Sequence, residues 1–187
     1  MRFETTSLDG VWLIHVEPVH DSRGSFARTF SADEFQAHGL ETNFPQHSIS
    51  FSSRKGTVRG MHFQREPHSE VKLVRCTSGA IWDVIIDIRP GSPTFGQWRG
   101  FELSDKNRRQ LYVPKGFAHG FQTLGDDAQV SYLISEFYTP DAASGVRHDD
   151  PSFGIVWPLA VTALSERDAL WPDFAKRADL LHRHQTT

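Results

Sequence analysis

The clearest pattern along the chain is a series of short apolar segments that are rich in Val, Ile, Phe and Tyr. Turn-forming strings such as RPGSP, SDKN and LGDD separate these segments. Strands that recur at this spacing, without helices between them, predict an antiparallel sandwich or barrel rather than alternating strand–helix units. The predicted strands cover residues 10–19, 56–64, 71–79, 80–88, 98–104, 109–114, 118–124 and 129–135.

Two segments have helical patterns instead. In residues 31–40, Ser31 and Glu34 have the spacing of a capping box, and Gly39 is a plausible helix stop. Residues 165–181 contain helix-forming stretches that Pro172 divides. The sequence therefore predicts a mainly β protein, a barrel with a short N-terminal helix and a helical C-terminal tail.

Composition limits the class of protein. The 187 residues fit one domain, 1–187, with a substantial core, and the net charge of −3 argues against nucleic-acid binding through a basic surface. Cys76 is the only cysteine, which excludes a disulfide framework and a thiolate metal cluster. The sequence contains no apolar run of membrane-spanning length and no signal-peptide pattern at its start, so we expect a cytoplasmic protein without membrane partners.

The strand VRGMHFQ, residues 58–64, contains the first candidate for chemistry. Alternation along a strand predicts that His62 shares a face with Val58, Gly60 and Gln64, and that Arg59 lies on the other face. Gly60 would leave space for a ligand beside the imidazole. Taken alone, however, this pattern favours a core histidine that bonds a neighbouring strand.

The segment YVPKGFAHGF, residues 112–121, contains a second histidine in a more specific context. Pro114, Gly116 and His119 form a P-x-G-x-x-H unit, in which a turn directs the following strand. Phe117 and Phe121 lie on the same strand face as His119. The unit resembles the second signature of the cupin superfamily, whose jelly-roll barrels hold a pocket between their strands.

Many cupins bind a metal through three histidines and a carboxylate, and their first signature contains an H-x-H pair. Here Gln64 stands two residues after His62, and His68 and Glu70 lie outside the usual spacing. The ligand set is therefore incomplete, and the pocket is interpreted as free of metal and cofactor. A metal-dependent cupin that uses His62, His68, Glu70 and His119 is the alternative.

Without a metal, two histidines in one pocket indicate proton transfer, since imidazole titrates near neutral pH. Tyr132 and Tyr138 have the same strand parity and offer phenols as proton donors, and Lys72 could stabilise an oxyanion. A base, an acid and an oxyanion stabiliser are the groups needed to invert a stereocentre next to a carbonyl. No covalent nucleophile is indicated, because Cys76 lacks a catalytic context.

Longer motifs resemble those of the dTDP-4-dehydrorhamnose 3,5-epimerase family over nearly the whole chain. The resemblance implies a cupin-type jelly roll, without metal or cofactor, that forms a homodimer through an exchanged N-terminal segment within about residues 1–50. The motifs are HDSRGSFARTF (20–30), GTVRGMHFQ (56–64), VKLVRCTSGAIWDVIIDIRPGSPTFGQW (71–98), YVPKGFAHGFQTL (112–124), YLISEFYTP (132–140), DDPSFGIVWP (149–158) and LSERDA (164–169).

The family's catalytic residues fall on positions that this chain retains. The resemblance implies that His62 is the base and that Asp168 is its carboxylate partner, with Asp83 as a competing partner. Tyr132 would be the acid on the opposite face of the sugar, and Lys72 would polarise the C4 ketone.

The substrate implied by the resemblance is a nucleotide-diphosphate sugar of the dTDP-4-keto-6-deoxyhexose type. Arg59 and Arg23 would bind the diphosphate, as guanidinium groups suit it. Gln46 and one of Phe137 or Tyr138 would contact the base. The implied substrate-binding set is Arg23, Arg28, Gln46, Ser48, Arg59, His119, Phe137, Tyr138 and Arg167.

Several recognition positions depart from the family pattern. Arg28 stands where the family usually has a glutamate near the thymine, and Ser48 replaces an asparagine. Phe137 precedes Tyr138 in place of a Tyr-Tyr pair, and Ala143 replaces a glutamate that contacts substrate. The departures affect recognition of the substrate more than the reaction type.

The leading hypothesis is therefore an epimerase that inverts C3 and C5 of a nucleotide-linked 4-keto-6-deoxyhexose. A close variant inverts C3 alone or acts on another nucleotide sugar. Two further alternatives are the metal-dependent cupin and a non-catalytic cupin that binds a sugar nucleotide.

Overall fold

The protein is described by a computed structural model that covers residues 1–177 and 180. Its helical segments are α1 Ala32–Ala37, α2 Glu166–Ala169 and a short 3-10 helix, Phe174–Lys176. Its strands are β1 Arg2–Thr5, β2 Trp12–His15, β3 Val19–Asp21, β4 Gly24–Phe26, β5 Gln46–Ser52, β6 Val58–Gln64, β7 Lys72–Ser78, β8 Ala80–Asp87, β9 Trp98–Ser104, β10 Arg109–Val113, β11 Phe117–Thr123, β12 Ala128–Ile134 and β13 Ala143–Gly145.

Two antiparallel sheets form a barrel of the jelly-roll type. The larger sheet has the strand order β1-β2-β10-β7-β12-β5, and the smaller sheet has the order β13-β6-β11-β8-β9. Strands β3 and β4 pair with each other and form a separate hairpin. The mainly β architecture predicted from the strand pattern is confirmed. Apart from β1–β2 and β8–β9, the neighbouring strands within the two barrel sheets are not consecutive in the chain.

Side chains alternate between the barrel interior and an outer apolar layer. In β8, Ile81 and Ile85 pack into the core between the sheets, whereas Val84 and Ile86 pack on the outer face of the smaller sheet. This period of two is what the strand geometry imposes. Asp83 has the parity of the inward residues, so β8 places a buried carboxylate inside the barrel.

The outer face of each sheet is covered by a chain terminus. Phe35 of α1 and Phe44 pack with Ile14 and Leu73 on the larger sheet. Phe153 and Phe174 from the C-terminal part pack on the smaller sheet. Both outer faces are therefore apolar and covered, and a further apolar cluster fills much of the space between the sheets.

The predicted strands agree with the observed ones near their centres and differ at the ends. The prediction for 98–104 matches β9, whereas the prediction for 10–19 is too long, because β2 ends at His15 and Val19 already belongs to β3. Strands β1, β3, β4, β5 and β13 were not predicted. They are short or, like β5, rich in serine, so their apolar pattern is weak.

The N-terminal helix is present, but its predicted capping box is wrong. The hydroxyl of Ser31 bonds the carboxylate of Asp33, and no side-chain bond caps the helix. The carboxylate of Glu34 instead accepts a bond of 3.0 Å from the amino group of Met1. Gly39 follows the helix with φ of +69°, which supports its prediction as a stop.

The C-terminal segment forms two short helical turns on either side of Pro172, as the sequence predicts. The remainder of the predicted helical tail, residues 178–179 and 181–187, lies outside the described residues. In the part of the chain that the structure covers, no helix is both long and apolar enough to cross a membrane.

Candidate active site

A cavity of about 590 Å³ lies between the two sheets and is closed on one side by the segment that leads into α2. It brings together eight of the residues that the sequence singled out, from four strands of the barrel, the edge strand β5 and α2. These residues are Ser48, Arg59, His62, Lys72, His119, Tyr132, Arg167 and Asp168.

An irregularity in β6 sets the direction of two of these side chains. His62 pairs with His119, but Arg59 pairs with Phe121, so β6 has one residue more than β11 over this stretch. Gly60 has φ of +129°, and a Cβ there would lie 2.5 Å from Gly120 Cα. The prediction that Arg59 lies on the face opposite to His62 is therefore wrong, because the bulge turns both toward the cavity.

The imidazole of His62 is held by a carboxylate. Its Nε2 lies 2.6 Å from Oδ1 of Asp168, and Oδ2 of Asp168 accepts the backbone N–H of Gly60 at 3.3 Å. The hydroxyl of Ser165 accepts the backbone N–H of Asp168 at 3.1 Å, which caps α2 and fixes the carboxylate. No hydrogen bond to Nδ1 of His62 is found among the described residues, so this nitrogen remains available to a ligand.

The electrostatics of the pair keep Asp168 ionised. Burial alone would raise the pKa of this carboxyl group, but the bond and charge of His62, with the Gly60 amide, outweigh burial and lower the pKa below its usual value. An ionised Asp168 accepts the Nε2 proton of His62, and this leaves Nδ1 unprotonated in the neutral ring. In this geometry, Nδ1 can accept a proton from a group in the cavity.

A second histidine–carboxylate pair lies deeper in the barrel. Nε2 of His119 lies 2.9 Å and 3.1 Å from the two carboxylate oxygens of Asp83, and both residues are buried. Burial raises the pKa of Asp83, while the charge of His119 and its hydrogen bond act in the opposite direction. Asp83 bonds His119, so the carboxylate that contacts His62 is Asp168.

The phenol of Tyr132 faces the same cavity from the central strand β12. Its hydroxyl is 3.1 Å from Oγ of Ser50, and its ring meets that of His119 edge-on, with 6.3 Å between the centroids. Burial raises the pKa of Tyr132 well above its usual value. The phenol therefore stays protonated over the whole neutral range and can act as a proton donor.

Lys72 enters the cavity from the start of β7. Its ammonium group lies 2.9 Å from the carboxylate of Glu70 and donates a longer bond of 3.4 Å to the carbonyl of His62. The side chains of Lys72 and Glu70 are only 12% and 10% exposed. The cavity thus contains a fixed positive charge close to the candidate base.

Two arginines add positive charge at the edges of the cavity. The guanidinium of Arg59 donates to Oγ of Ser52 at 2.9 Å and to the carbonyl of Phe51 at 2.8 Å. Arg167, on α2, is exposed and stacks over the ring of Trp171 at 5.3 Å. Arg59 is anchored to β5 by two bonds, whereas Arg167 lies against an aromatic ring, and both place a guanidinium group at the edge of the cavity.

A smaller cavity of about 220 Å³ adjoins the first and shares His62, Lys72 and Arg167 with it. Gln46 and Tyr138 line this smaller space. The predicted strand parity of Tyr138 is wrong, because β12 ends at Ile134; the side chain of Gln46 instead accepts the backbone N–H of Tyr138 at 2.8 Å.

Three of the predicted substrate contacts do not line either cavity. Phe137 is 61% exposed beside the smaller one. Arg23 lies in the β3–β4 hairpin, where its guanidinium pairs with Asp21, and Arg28 follows the hairpin with an exposed side chain. Within one chain, the structure therefore leaves Arg23 and Arg28 outside the site.

The alternative metal-binding set is not assembled. His68 lines a different cavity, Glu70 pairs with Lys72, and the Nε2 atoms of His62 and His119 each face a carboxylate. In the described part of the chain, no three His, Cys, Asp or Glu side chains are grouped so that they could hold a metal ion.

Sequence reasoning missed the serines that orient the site. Ser50 bonds Tyr132, Ser52 bonds Arg59, and Ser165 caps α2. A signal was present for two of them, because the string QHSISFS places Ser48, Ser50 and Ser52 on one face of a strand. Because serine is not typical of strands, the alternation of these serines did not predict one.

Comparison with known proteins finds similar sequences over most of the chain. The model of the dTDP-4-dehydrorhamnose 3,5-epimerase family matches residues 5–176. The chain is 47% identical to the dTDP-4-dehydrorhamnose 3,5-epimerase of Methanothermobacter thermautotrophicus, over 91% of this chain and 92% of that protein. It is also 40% identical to a dTDP-4-dehydrorhamnose 3-epimerase of Streptomyces niveus, over 100% of this chain and 91% of that protein.

Solved structures are similar at the level of the fold. The epimerase of Mycobacterium tuberculosis superposes with a TM-score of 0.92 at 39% identity, covering 98% of this chain and 94% of that one. The dTDP-6-deoxy-D-glucose-3,5-epimerase of Legionella pneumophila, solved with dTDP-4-keto-L-rhamnose, gives a TM-score of 0.90 at 38% identity and covers 98% of each chain. The chain therefore belongs to the dTDP-4-dehydrorhamnose 3,5-epimerase family, and it is an enzyme of the isomerase class.

Proposed function

We propose that this enzyme inverts C3 and C5 of dTDP-4-keto-6-deoxyglucose and so forms dTDP-4-keto-rhamnose. One observation carries the proposal: the His62–Asp168 pair and the protonated phenol of Tyr132 face a single cavity that also holds Lys72. Membership of the family supports the substrate class, because members are named for this reaction and one was solved with dTDP-4-keto-L-rhamnose.

In the first step, Nδ1 of His62 removes the proton from a carbon next to the C4 ketone. The C–H electron pair moves into the carbonyl, so the negative charge develops on the C4 oxygen. Lys72 donates to that oxygen, and His119 lies close enough in the cavity to help orient the sugar. A cation held in place beside the developing charge stabilises it more than freely reorienting solvent does.

In the second step, Tyr132 delivers a proton to the same carbon from the opposite face of the ring. The enolate collapses to the ketone and the configuration is inverted. Solvent then takes the abstracted proton from His62 and returns a proton to the phenolate of Tyr132, which restores both groups. Ser50 holds the phenol oxygen at 3.1 Å, which limits the directions in which the proton can be delivered. General acid–base catalysis of this kind contributes typically about 10²–10⁴-fold to a rate.

The nucleotide end of the substrate is proposed to lie along the edge of the cavity. Arg59, with Arg167, would bind the diphosphate, since guanidinium groups pair well with phosphate oxygens. Gln46, Tyr138 and the exposed ring of Phe137 would contact the base. Ser48 would offer a hydroxyl group on a shorter side chain than the asparagine that is usual in the family.

A homodimer would explain the position of the two remaining arginines. The β3–β4 hairpin stands apart from both sheets, and its apolar Val19 and Phe26 are 72% and 73% exposed. We propose that a second copy of the chain covers these residues and receives Arg23 and Arg28 at its own cavity. Sedimentation should then give a dimer, and Val19→Glu should dissociate it and weaken dTDP binding.

Solvent exchange tests the reaction directly. The enzyme would be incubated with dTDP-4-keto-6-deoxyglucose in D₂O, and deuterium at C3 and C5 would be followed by NMR. We expect enzyme-dependent exchange at both carbons. Exchange at neither carbon would remove the substrate assignment.

The second candidate is inversion at C3 alone. The similarity to a 3-epimerase at 40% identity motivates it, because that relative matches this chain over its full length. Exchange at C3 without exchange at C5 would select this candidate. Inversion at either carbon needs an acid on the opposite face of the ring, so Tyr132 suits both candidates and the exchange experiment decides between them.

A further inference from the structure

Glu70 is the carboxylate nearest to the ammonium group of Lys72, and the proposed reaction assigns it no role. It precedes β7 and lines the smaller cavity together with Lys72. Its Oε1 lies 2.9 Å from Nζ of Lys72, and neither side chain is more than 12% exposed. A nearly buried pair of this kind holds its geometry better than an exposed one, because water competes less for the charges.

Two protein groups accept hydrogen bonds from the ammonium group of Lys72, and together they orient its third N–H. An ammonium group has three N–H donors in a tetrahedral arrangement. Glu70 accepts one of them, and the carbonyl of His62 is placed to accept a second at 3.4 Å. Since Lys72 lines both cavities, the third N–H remains to point into the shared space, where the proposed sugar would lie.

We propose that Glu70 is a positioning residue that aims the ammonium group of Lys72 at the carbonyl oxygen of the substrate. This inference rests on the proposed epimerase function. Glu70 acts through Lys72 and does not itself contact the sugar. Without the carboxylate, the flexible lysine side chain has only the weaker carbonyl contact to hold it, and its ammonium group samples positions that leave the enolate unstabilised.

The test is a double-mutant cycle measured by deuterium exchange. Glu70→Gln keeps the shape of the side chain and removes its charge, and we expect about a tenfold or larger loss of kcat with little change in dTDP affinity. In the background of Lys72→Ala, the same substitution should cause no further loss, because its target is already gone. Glu70→Asp keeps the charge and should restore part of the rate.

A matched control separates this effect from a general loss of charge. Glu102→Gln removes an exposed carboxylate on β9, away from both cavities, and should leave exchange unchanged. Thermal unfolding of each variant checks that the fold is intact. If Glu70→Gln exchanges at a rate within about twofold of the wild type, or if its loss adds fully to that of Lys72→Ala, the proposal is overturned.

The outcomes also distinguish this inference from the function on which it depends. If the wild-type enzyme shows no exchange, both fail. If the wild type exchanges and Glu70→Gln does so equally well, only the role of Glu70 fails and the epimerase remains.

Discussion

Asp168→Asn isolates the part of the site on which proton removal depends. In the wild type, Oδ1 of Asp168 accepts the Nε2 proton of His62 at 2.6 Å, while Oδ2 accepts the N–H of Gly60. An asparagine that keeps its carbonyl on the Gly60 amide must place its NH₂ group toward Nε2. Two donors cannot face each other, so the proton of His62 would move to Nδ1, the nitrogen that acts as the base.

The size of the effect follows from this change of tautomer. The equivalent change in a Ser-His-Asp triad lowers kcat about 10⁴-fold, which corresponds to about 5.5 kcal/mol of transition-state stabilisation. We expect a loss of about 10²–10⁴-fold here, because His62 is partly exposed and its ring can reorient. The cost in stability is smaller, about 1–2 kcal/mol, since a partly solvated hydrogen bond to a charge is lost.

The assay is deuterium exchange at C3 and C5 under saturating substrate, with dTDP affinity measured in parallel. Affinity should change little, because Asp168 is buried behind His62. The comparison variant is Asp83→Asn, which disturbs His119 instead. If Asp168→Asn retains more than about a tenth of the wild-type rate, Asp168 does not set the state of His62 and the reasoning is refuted.

Stability should also depend on pH through Asp168. The pKa of its carboxyl group is lowered in the folded state, so its contribution is present above the unfolded pKa. That contribution is lost as the pH falls through the lower, folded value. Chemical unfolding of the wild type and of Asp168→Asn should therefore give stability curves that converge in acid.

The remaining predictions concern the acid, the bulge and the diphosphate. Tyr132→Phe should slow inversion about 10²–10⁴-fold in a product assay. Because burial raises the pKa of Tyr132, the wild-type rate should not fall through ionisation of this phenol below about pH 10. Gly60→Ala should lower the free energy of unfolding by about 2–4 kcal/mol, because its Cβ would strike Gly120, whereas Gly96→Ala, with a positive φ and open space, should cost about 1 kcal/mol in the same urea titration. Arg59→Ala should weaken dTDP binding about 10–100-fold by calorimetry, and an unchanged affinity would remove Arg59 from the site.

Much of the architecture could be predicted because a strand shows in the sequence as a short, alternating apolar pattern. The alternation in residues 80–88 and 98–104 predicted β8 and β9 closely. The P-x-G-x-x-H unit likewise predicted a strand after the turn at Gly116, and β11 begins at Phe117. This apolar pattern was weak where strands were short or polar, as in β5, because serine contributes little to it.

The bulge in β6 could not be predicted from periodicity. Strict alternation separates Arg59 from His62, yet an extra residue against β11 turns both toward one cavity. Within the β6 sequence, Gly60 is the one residue that indicates a bulge. Its role depends on the backbone of β11, which passes too close for any side chain at this position.

The sequence by itself determined the residue types of the site and the strands that carry them, because these depend on local spacing. Only the tertiary structure decided how those residues are paired. His62 and Asp168 are 106 positions apart, and the sequence favoured Asp168 as the partner of His62 without excluding Asp83. In the closed barrel, Asp83 lies against His119, and α2 packs against β6. Local spacing does not reveal such contacts, because they depend on the packing of the whole chain.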